Sequence, residues 1–166
     1  MRIMHIIRIV FDNIQNEGLL RTIHKIFIRI IRIIKRKKNF HYKLTRKEKK
    51  YQSDFSFPKS IKFSIIVPLY NTPCAYLKDM ISSVKNQAYT NWELCLADGS
   101  DNNHAYVQDI CCKEMMEDKR IKYQKLNENL GISENTNRCI EMSEGEYLGL
   151  LDHDDILHPA ALFEVM

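Results

Sequence analysis

Three aspartates close together near the end of the sequence are the residues with the clearest potential for chemistry. Asp152, Asp154 and Asp155 follow a short apolar run, and carboxylates this close repel one another unless a cation lies among them. Mg²⁺ and Mn²⁺ are commonly held by one or two carboxylates together with substrate phosphates. The pattern therefore predicts a Mn²⁺ or Mg²⁺ site that would bind a diphosphate and stabilise its departure. The alternative is a solvated turn whose aspartates cap the next helix.

Other signals for phosphate or metal binding are weaker. The sequence has neither a GxxxxGK[ST] nor a GxGxxG pattern, so no glycine-rich loop is available to cradle phosphates with backbone N–H groups. His153 and His158 flank the aspartates and could each supply a metal ligand, although a neighbouring or capping histidine is the commoner case. Phosphate binding would therefore depend mainly on the metal.

Upstream polar residues could recognise a nucleoside. Asp98, in the segment Ala-Asp-Gly-Ser, could accept a hydrogen bond from a nucleobase imide or a ribose hydroxyl, but Asp-Gly also favours an ordinary Asx turn. Tyr70 could stack on a base, or be a half-buried tyrosine with no ligand. Arg138 could reach a phosphate, or be an exposed helix residue.

The elements that must position these residues alternate along the chain. Apolar and β-branched runs predict strands, and apolar residues at helical spacing between them predict helices. Strands are expected at 61–67, 92–97, 121–126 and 147–151, and helices from a Thr72 cap with Pro73 first to about Gln87, at 105–116, at 132–142, and from His158-Pro159 onward. This alternation predicts an α/β domain with a mostly parallel four-stranded sheet and helices on both faces.

The candidate residues all follow predicted strands. The four strands end in the polar segments 68–71, 98–101, 127–131 and 152–155. In open α/β sheets, ligands bind outside the carboxyl ends of the strands, near the point where the strand order reverses. The sequence therefore predicts one binding site at this end of the sheet.

Charge divides the chain into two parts. Residues 1–60 hold 16 Lys and Arg against 4 Asp and Glu, whereas residues 61–166 hold 9 against 17. The sequence pattern predicts three parts, which are a basic helical arm at residues 1–38, a charged linker at residues 39–60 and a globular domain at residues 61–166. In the arm, basic residues share one predicted helix stripe and aliphatic residues the opposite face: Arg21, Lys25, Arg29, Arg32 and Arg36, against Ile23, Ile26, Phe27, Ile30, Ile31 and Ile34.

An arm with this pattern suits the surface of an anionic membrane. Lys35, Arg36, Lys37 and Lys38 would add electrostatic attraction. No apolar run is long enough to span a bilayer or to form a signal peptide. The sequence thus predicts a cytoplasmic protein, peripheral on the inner face of the plasma membrane. Packing of the arm on another part of the protein or on a partner is the alternative, and the aliphatic face disfavours nucleic acid.

Composition excludes several classes. The chain is 45% hydrophobic, which is enough for a core and excludes a disordered tail. Its five cysteines show no CxxC spacing, which disfavours a disulfide scaffold or a zinc ribbon and fits a reducing compartment.

Four segments in order resemble family 2 glycosyltransferases, which have the nucleotide-sugar-binding GT-A fold. The segments are 63–71 (FSIIVPLYN), 92–100 (WELCLADGS), 127–133 (NENLGIS) followed by Asn137, and 147–155 (YLGLLDHDD). The resemblance implies a Rossmann-like GT-A half that carries out an inverting sugar transfer to an acceptor hydroxyl. It is also compatible with cell-surface polysaccharide synthesis at the membrane.

The resemblance assigns roles to particular residues. The implied donor is a nucleotide-diphosphate sugar, most simply of the UDP type. Asp154 and Asp152 would hold the metal, and Asp98 would bind the base. The implied nucleotide-sugar residues are Pro68, Tyr70, Asn71, Asp98, Ser100, Asn137, Asp152 and Asp155.

The resemblance covers the donor-binding half only, and no general base is expected in this chain. The domain is therefore expected to be truncated and, alone, inactive. A non-catalytic nucleotide-sugar-binding remnant, or a module that docks on a membrane or partner, is the alternative. A nucleotidyltransferase is disfavoured because the basic, glycine-rich phosphate loop is missing.

Overall fold

The computed structural model describes residues 43–166, and the predicted basic arm at 1–38 lies outside them. The elements are α1 (Arg46–Asp54), β1 (Phe63–Leu69), α2 (Cys74–Lys85), β2 (Trp92–Asp98), a short 3₁₀ helix (Asn102–His104), α3 (Tyr106–Glu117), β3 (Ile121–Lys125), α4 (Ile132–Glu141), β4 (Tyr147–Leu150) and α5 (Ala161–Glu164). From β1 onward, strands and helices alternate as the sequence predicts.

The four strands form one parallel sheet in the order β3-β2-β1-β4. Strand β1 is central: Leu69 is level with Asp98 of β2, and Ile66 with Leu150 of β4. The predicted parallel α/β architecture is confirmed. Its strand order reverses beside β1, where β2 and β4 lie on opposite sides.

The core lies around β1 and β2, whose residues are almost all buried. Their near-continuous apolar sequences fit strands covered on both faces. Strand β4 differs, because it is an edge strand and Tyr147, Leu148 and Leu150 are exposed. Such an edge leaves backbone hydrogen-bonding groups unpaired.

Part of the predicted linker at 39–60 forms helix α1 (Arg46–Asp54), an element that the sequence pattern did not predict. Thr45 and Glu48 form a capping box, in which the Thr45 hydroxyl accepts from the Glu48 backbone N–H and the Glu48 carboxylate accepts from that of Thr45. Beyond the helix, the Phe55 and Phe57 rings pack edge-on against Phe163, with centroids 5.5 and 5.2 Å away. These contacts join the segment to the domain core.

Three helices begin later than predicted, α2 and α3 by one residue and α5 by three. Helix α2 starts at Cys74. The Thr72 hydroxyl is buried and has no hydrogen-bond partner among residues 43–166, so Thr72 is not the cap. The Pro73 carbonyl instead accepts the first helical bond, from the Leu77 N–H.

The last helix starts at Ala161 rather than at His158-Pro159. The His158 carbonyl accepts from the Ala161 N–H and from the side-chain amide of Gln87, and the Gln87 amide oxygen accepts from the Leu162 N–H. Gln87 thus sets the position of α5 from another part of the chain.

A buried ion cluster lies near the amino ends of the strands. The Glu93 carboxylate pairs with Lys62 and Lys122, with N–O distances of 2.6 and 3.1 Å, and accepts from the Ser64 hydroxyl at 2.6 Å. It also accepts from the backbone N–H of Glu144. Burial alone would raise the pKa of Glu93, but these partners outweigh it and lower the pKa to about 2.

All five cysteines are free thiols. Burial raises the pKa of Cys95 to about 12 and that of Cys139 to about 11, and also raises the pKa of Cys111. These three therefore remain protonated core residues. Between residues 43 and 166, no helix is both long and apolar enough to cross a membrane.

Candidate functional site

The carboxyl ends of β1, β2 and β4 bring three polar loops to one edge of the sheet. Tyr70 and Asn71 follow the central strand, the turn after Asp98 lies on one side, and the aspartate loop 152–155 on the other. The crevice therefore lies where strand order reverses, which is the usual ligand position in such sheets. Pro68 lies inside β1, level with Ala97.

Asn71 joins the loops that follow β1 and β2. Its φ of 49° is left-handed, a conformation that asparagine adopts more readily than most residues. Its backbone N–H donates to the Ser100 hydroxyl at 2.8 Å, and its amide exchanges two hydrogen bonds with Asp101, at 3.0 and 3.1 Å. Two predicted site residues, Asn71 and Ser100, are thus in direct contact.

Asp101 receives further hydrogen bonds. Its carboxylate accepts from the Asn103 N–H at 2.9 Å and lies 2.7 Å from His104 Nδ1. The contact with His104 lowers the pKa of Asp101, helped by the bond from Asn71. Asp101 therefore acts as an ionised acceptor that holds the two loops together.

Asp98 is fully buried at the end of β2. One carboxylate oxygen accepts from the Ser100 N–H at 2.8 Å. This hydrogen bond forms the Asx turn that the Asp-Gly sequence favours. The other oxygen accepts from the Tyr123 hydroxyl at 2.9 Å and lies 3.8 Å from the Lys125 ammonium. Asp98 is thus a buried, partnered carboxylate, and its role in base binding stays a prediction.

Lys125 ties the same turn to β3. Its ammonium donates to the backbone carbonyls of Asp98 and Ser100, at 3.2 and 2.6 Å. A cation here compensates the buried charge of Asp98, which would otherwise be costly to desolvate.

The segment between β3 and α4 lies against the Asp98 turn. A Cβ on Gly99 would come within 3.0 Å of the Asn129 backbone and 3.1 Å of the Asn135 amide, so only glycine fits there without a shift. The buried Asn135 amide donates to the Asn129 side chain at 2.9 Å and accepts from the Leu130 N–H at 3.2 Å. Asn135 therefore fixes this segment over the turn.

Asn137 is placed differently from Asn135. It is exposed on α4, and its amide donates to Glu134 at 3.3 Å. The structure does not bring Asn137 into the network around Asp98. Its assigned contact with the nucleotide stays a prediction.

The aspartate loop is a solvent-facing turn. The Asp155 N–H donates to the Asp152 carbonyl at 3.1 Å, and the side chains of Asp152, Asp154 and Asp155 are all exposed. Within the described residues, none of these three carboxylates forms a hydrogen bond or ion pair through its side chain. His153 is half-buried, and its Nδ1 has no hydrogen-bond partner.

These carboxylates fit a metal that is shared with a ligand. In the part of the chain that the structure describes, no three His, Cys, Asp or Glu side chains converge into a ready metal cage. Mg²⁺-type sites commonly take one or two carboxylates and complete their coordination with phosphates and water. Exposed, unpaired aspartates beside the crevice meet that requirement.

Sequence reasoning assigned no individual role to four residues of this network: Asp101, which lies in the predicted polar segment 98–101, Tyr123, Lys125 and Asn135. Asp101 carried a usable signal, since Asp-Asn-Asn after a strand is a plausible helix start. The others become visible only when β3 is placed beside β2 and α4 is packed on the sheet.

The fold and its crevice define an α/β domain of the class that binds ligands at the carboxyl ends of parallel strands. Residues 64–166 match Glycosyl transferase family 2, and the chain belongs to this family.

Similar proteins include two curated glycosyltransferases. One is GalNAc(5)-diNAcBac-PP-undecaprenol beta-1,3-glucosyltransferase of Campylobacter jejuni, 35% identical over 63% of this chain and 33% of its own length. The other is Glycosyltransferase GlyG of Streptococcus pneumoniae, 35% identical over 57% of this chain and 30% of its own. The chain thus spans about a third of the length of these relatives.

Among solved structures, TarS 1-349 of S. aureus in complex with UDP-GlcNAc is similar. It has a TM-score of 0.55 and is 25% identical, and the match covers 63% of this chain and 30% of TarS. This likeness confirms the expected GT-A type of fold.

Proposed function

We propose that this protein takes part in inverting transfer of a sugar from a nucleotide-diphosphate donor to an acceptor hydroxyl, in cell-surface polysaccharide synthesis. The observation that carries the proposal is the convergence of three loops on one crevice: Tyr70–Asn71, the Asp98 turn, and the aspartate loop 152–155. Family membership supports the reaction class, and both curated relatives are named as glycosyltransferases.

The proposed donor site has a nucleoside end and a diphosphate end. Tyr70 would offer its half-exposed ring to the base, and Asp98 would accept from the base imide. Asn71 and Ser100, already in contact, would shape the ribose region. We take the donor to be of the UDP type, supported by the UDP-GlcNAc complex of TarS.

At the diphosphate end, Asp154 and Asp152 would hold Mn²⁺ or Mg²⁺, with Asp155 beside them. The metal would supply neutralisation of the charge that develops on the leaving diphosphate. The role of the aspartates would be to hold the metal cation beside β4, close to the nucleoside end of the crevice. Their lack of partners among the described residues leaves them available for it.

Calorimetry with UDP tests the donor site. We expect the full chain to release heat on mixing with UDP when Mn²⁺ or Mg²⁺ is present, and little after chelation with EDTA. Equal binding with and without metal would contradict the metal assignment. No binding of UDP, GDP or dTDP under any condition would contradict the nucleotide-sugar proposal.

We also propose that residues 1–38 bind the anionic inner face of the plasma membrane. The supporting observation is the sequence pattern, in which a basic stripe and an aliphatic stripe share helical spacing. Each basic residue near such a surface contributes about 1 kcal/mol of attraction. The protein would then work as a peripheral enzyme on the cytoplasmic side.

Vesicle sedimentation tests the membrane proposal. We expect the full chain to pellet with anionic vesicles at low salt, to be released at high salt, and to bind neutral vesicles weakly. Changing Lys35, Arg36, Lys37 and Lys38 to Gln should reduce pelleting strongly. Failure of the unchanged chain to pellet at low salt would favour packing of the arm on a protein surface instead.

A further inference from the structure

The buried state of Asp98 poses a problem for base recognition. Its side chain is 0% exposed, and each carboxylate oxygen already accepts from the protein, one from the Ser100 N–H and one from the Tyr123 hydroxyl. A ligand atom cannot reach a carboxylate with no exposed surface. One of the covering groups must therefore move before a base can bind.

Tyr123 is the covering group that can move at the lowest cost. The Ser100 N–H belongs to the backbone of the turn, and Lys125 is held by two carbonyls at 2.6 and 3.2 Å. The Tyr123 side chain is only half-buried and meets Asp98 through its terminal hydroxyl, at 2.9 Å. A side-chain rotation would release Asp98 without breaking the β2–β3 pairing.

Tyr123 is a hydrogen-bond donor throughout the physiological pH range. Burial raises the pKa of its phenol, and the neighbouring Asp98 carboxylate raises it further. In the free protein, the phenol thus provides what a nucleobase imide would provide, which is one donor aimed at the same oxygen.

We propose that Tyr123 is a specificity-determining residue whose hydroxyl occupies Asp98 in the free protein and yields that position to the imide N–H of the bound base. This inference rests on the proposed function, because it assumes that Asp98 meets the nucleobase. It adds that base binding is an exchange of one donor for another.

The exchange selects a class of base. A buried carboxylate that loses a donor must gain another, since an unsatisfied buried charge is costly. Uracil has an N–H at position 3 and can replace the phenol. Cytosine has a lone pair at that position and cannot replace the phenol, so Tyr123 keeps its hydrogen bond to Asp98 in a CDP complex. A nucleotide with an imide is therefore preferred.

The test compares UDP and CDP binding to wild type and Tyr123→Phe by calorimetry with Mn²⁺. In the free variant, Asp98 lacks the hydrogen bond that the Tyr123 hydroxyl donates in wild type. In the UDP complex of either protein, the base imide would donate that hydrogen bond instead. We therefore expect the variant to bind UDP roughly tenfold more tightly, the lower end of what a hydrogen bond to a charged group supports. CDP affinity should change little, so the preference for UDP rises.

Tyr89→Phe is the matched control, because its hydroxyl donates to the Ile61 carbonyl, outside the crevice. This variant should bind UDP as wild type does. Weaker or unchanged UDP binding by Tyr123→Phe would overturn the inference. Absence of UDP binding by wild type would instead overturn the proposed function.

A second measurement keeps the inference testable if Tyr123→Phe folds poorly. In a Tyr70→Phe background, which removes the tyrosine expected to stack on the base, UDP should move tyrosine absorption to shorter wavelength, because a phenol leaves a carboxylate acceptor. No such shift at saturating UDP would count against the exchange.

Discussion

In calorimetry with Mn²⁺, we expect Asp154→Ala to bind UDP about tenfold more weakly than wild type, or worse, and its remaining binding to be independent of the metal. Loss of residues that only support a metal ligand already costs about 10–100-fold in affinity, and Asp154 is assigned as the ligand itself. Its carboxylate is exposed and unpartnered within the described structure. The substitution should therefore leave the thermal unfolding midpoint unchanged.

Asp109→Ala serves as the control for this variant. Asp109 is also an exposed aspartate, but it lies on α3, so its removal changes the net charge equally without touching the aspartate loop. We expect its UDP affinity and metal response to match wild type. If Asp154→Ala also kept full metal-dependent binding, the metal would have to lie elsewhere.

Glu93→Ala should lower the free energy of unfolding at pH 7 by about 3 kcal/mol, the cost of removing one partner from a buried ion pair. The Glu93 side chain is 1% exposed. Its loss removes the acceptor of the Ser64 hydroxyl and of the Glu144 N–H, and leaves Lys62 and Lys122 with the exposed Glu144 carboxylate alone. Since domains are stable by about 5–15 kcal/mol, this is a large fraction of the total. Urea denaturation of both proteins measures it.

The contribution of Glu93 depends on pH in a defined direction. Its folded-state pKa is about 2, below the ordinary value of 4.5, so it stabilises the folded state above pH 4.5 and this contribution is lost as the pH falls toward 2. The difference in stability between wild type and the isosteric Glu93→Gln should therefore shrink between pH 5 and pH 3, on the basis of that pKa. A constant difference would show that packing, not charge, is involved.

Glu146→Ala provides the contrast. Glu146 pairs with Lys59 at 2.5 Å, but the two side chains are exposed. Exposed pairs of this kind add little to stability, because water screens the two charges. We expect no clear change in the urea midpoint. The two glutamates thus separate a buried pair from a surface pair in one chain.

The sequence was sufficient for the sheet because its strands are short apolar runs with sharp polar ends. Strand β2, predicted at 92–97, is observed at Trp92–Asp98. Helix α1 was missed because it buries none of its residues, so no apolar periodicity marks it, although its capping box was readable. The start of α5 depends on Gln87, about 75 residues earlier in the chain, which local patterns cannot supply.

For the candidate site, the sequence predicted which residues take part better than it predicted which of them are in contact. Asp98 was selected by its position after a strand, and Asn71 and Ser100 by the family resemblance. The structure joins Asn71 to Ser100 and Ser100 to Asp98. The hydroxyl that covers Asp98 comes from Tyr123, 25 residues away. Pairing at that distance depends on the register of β2 with β3, which no single segment encodes.

The central position of β1 also has a consequence for synthesis on the ribosome. Among the strands that the structure describes, β1 is made first and its neighbour β4 last, and the contact between Ser64 and Gly145 spans 81 residues. Pairing with β2 can form early, whereas the other side of β1 stays open until β4 has emerged. The nascent protein thus exposes one edge of this apolar strand while the segment from β2 to β4 is being made, at the stage when chaperones act.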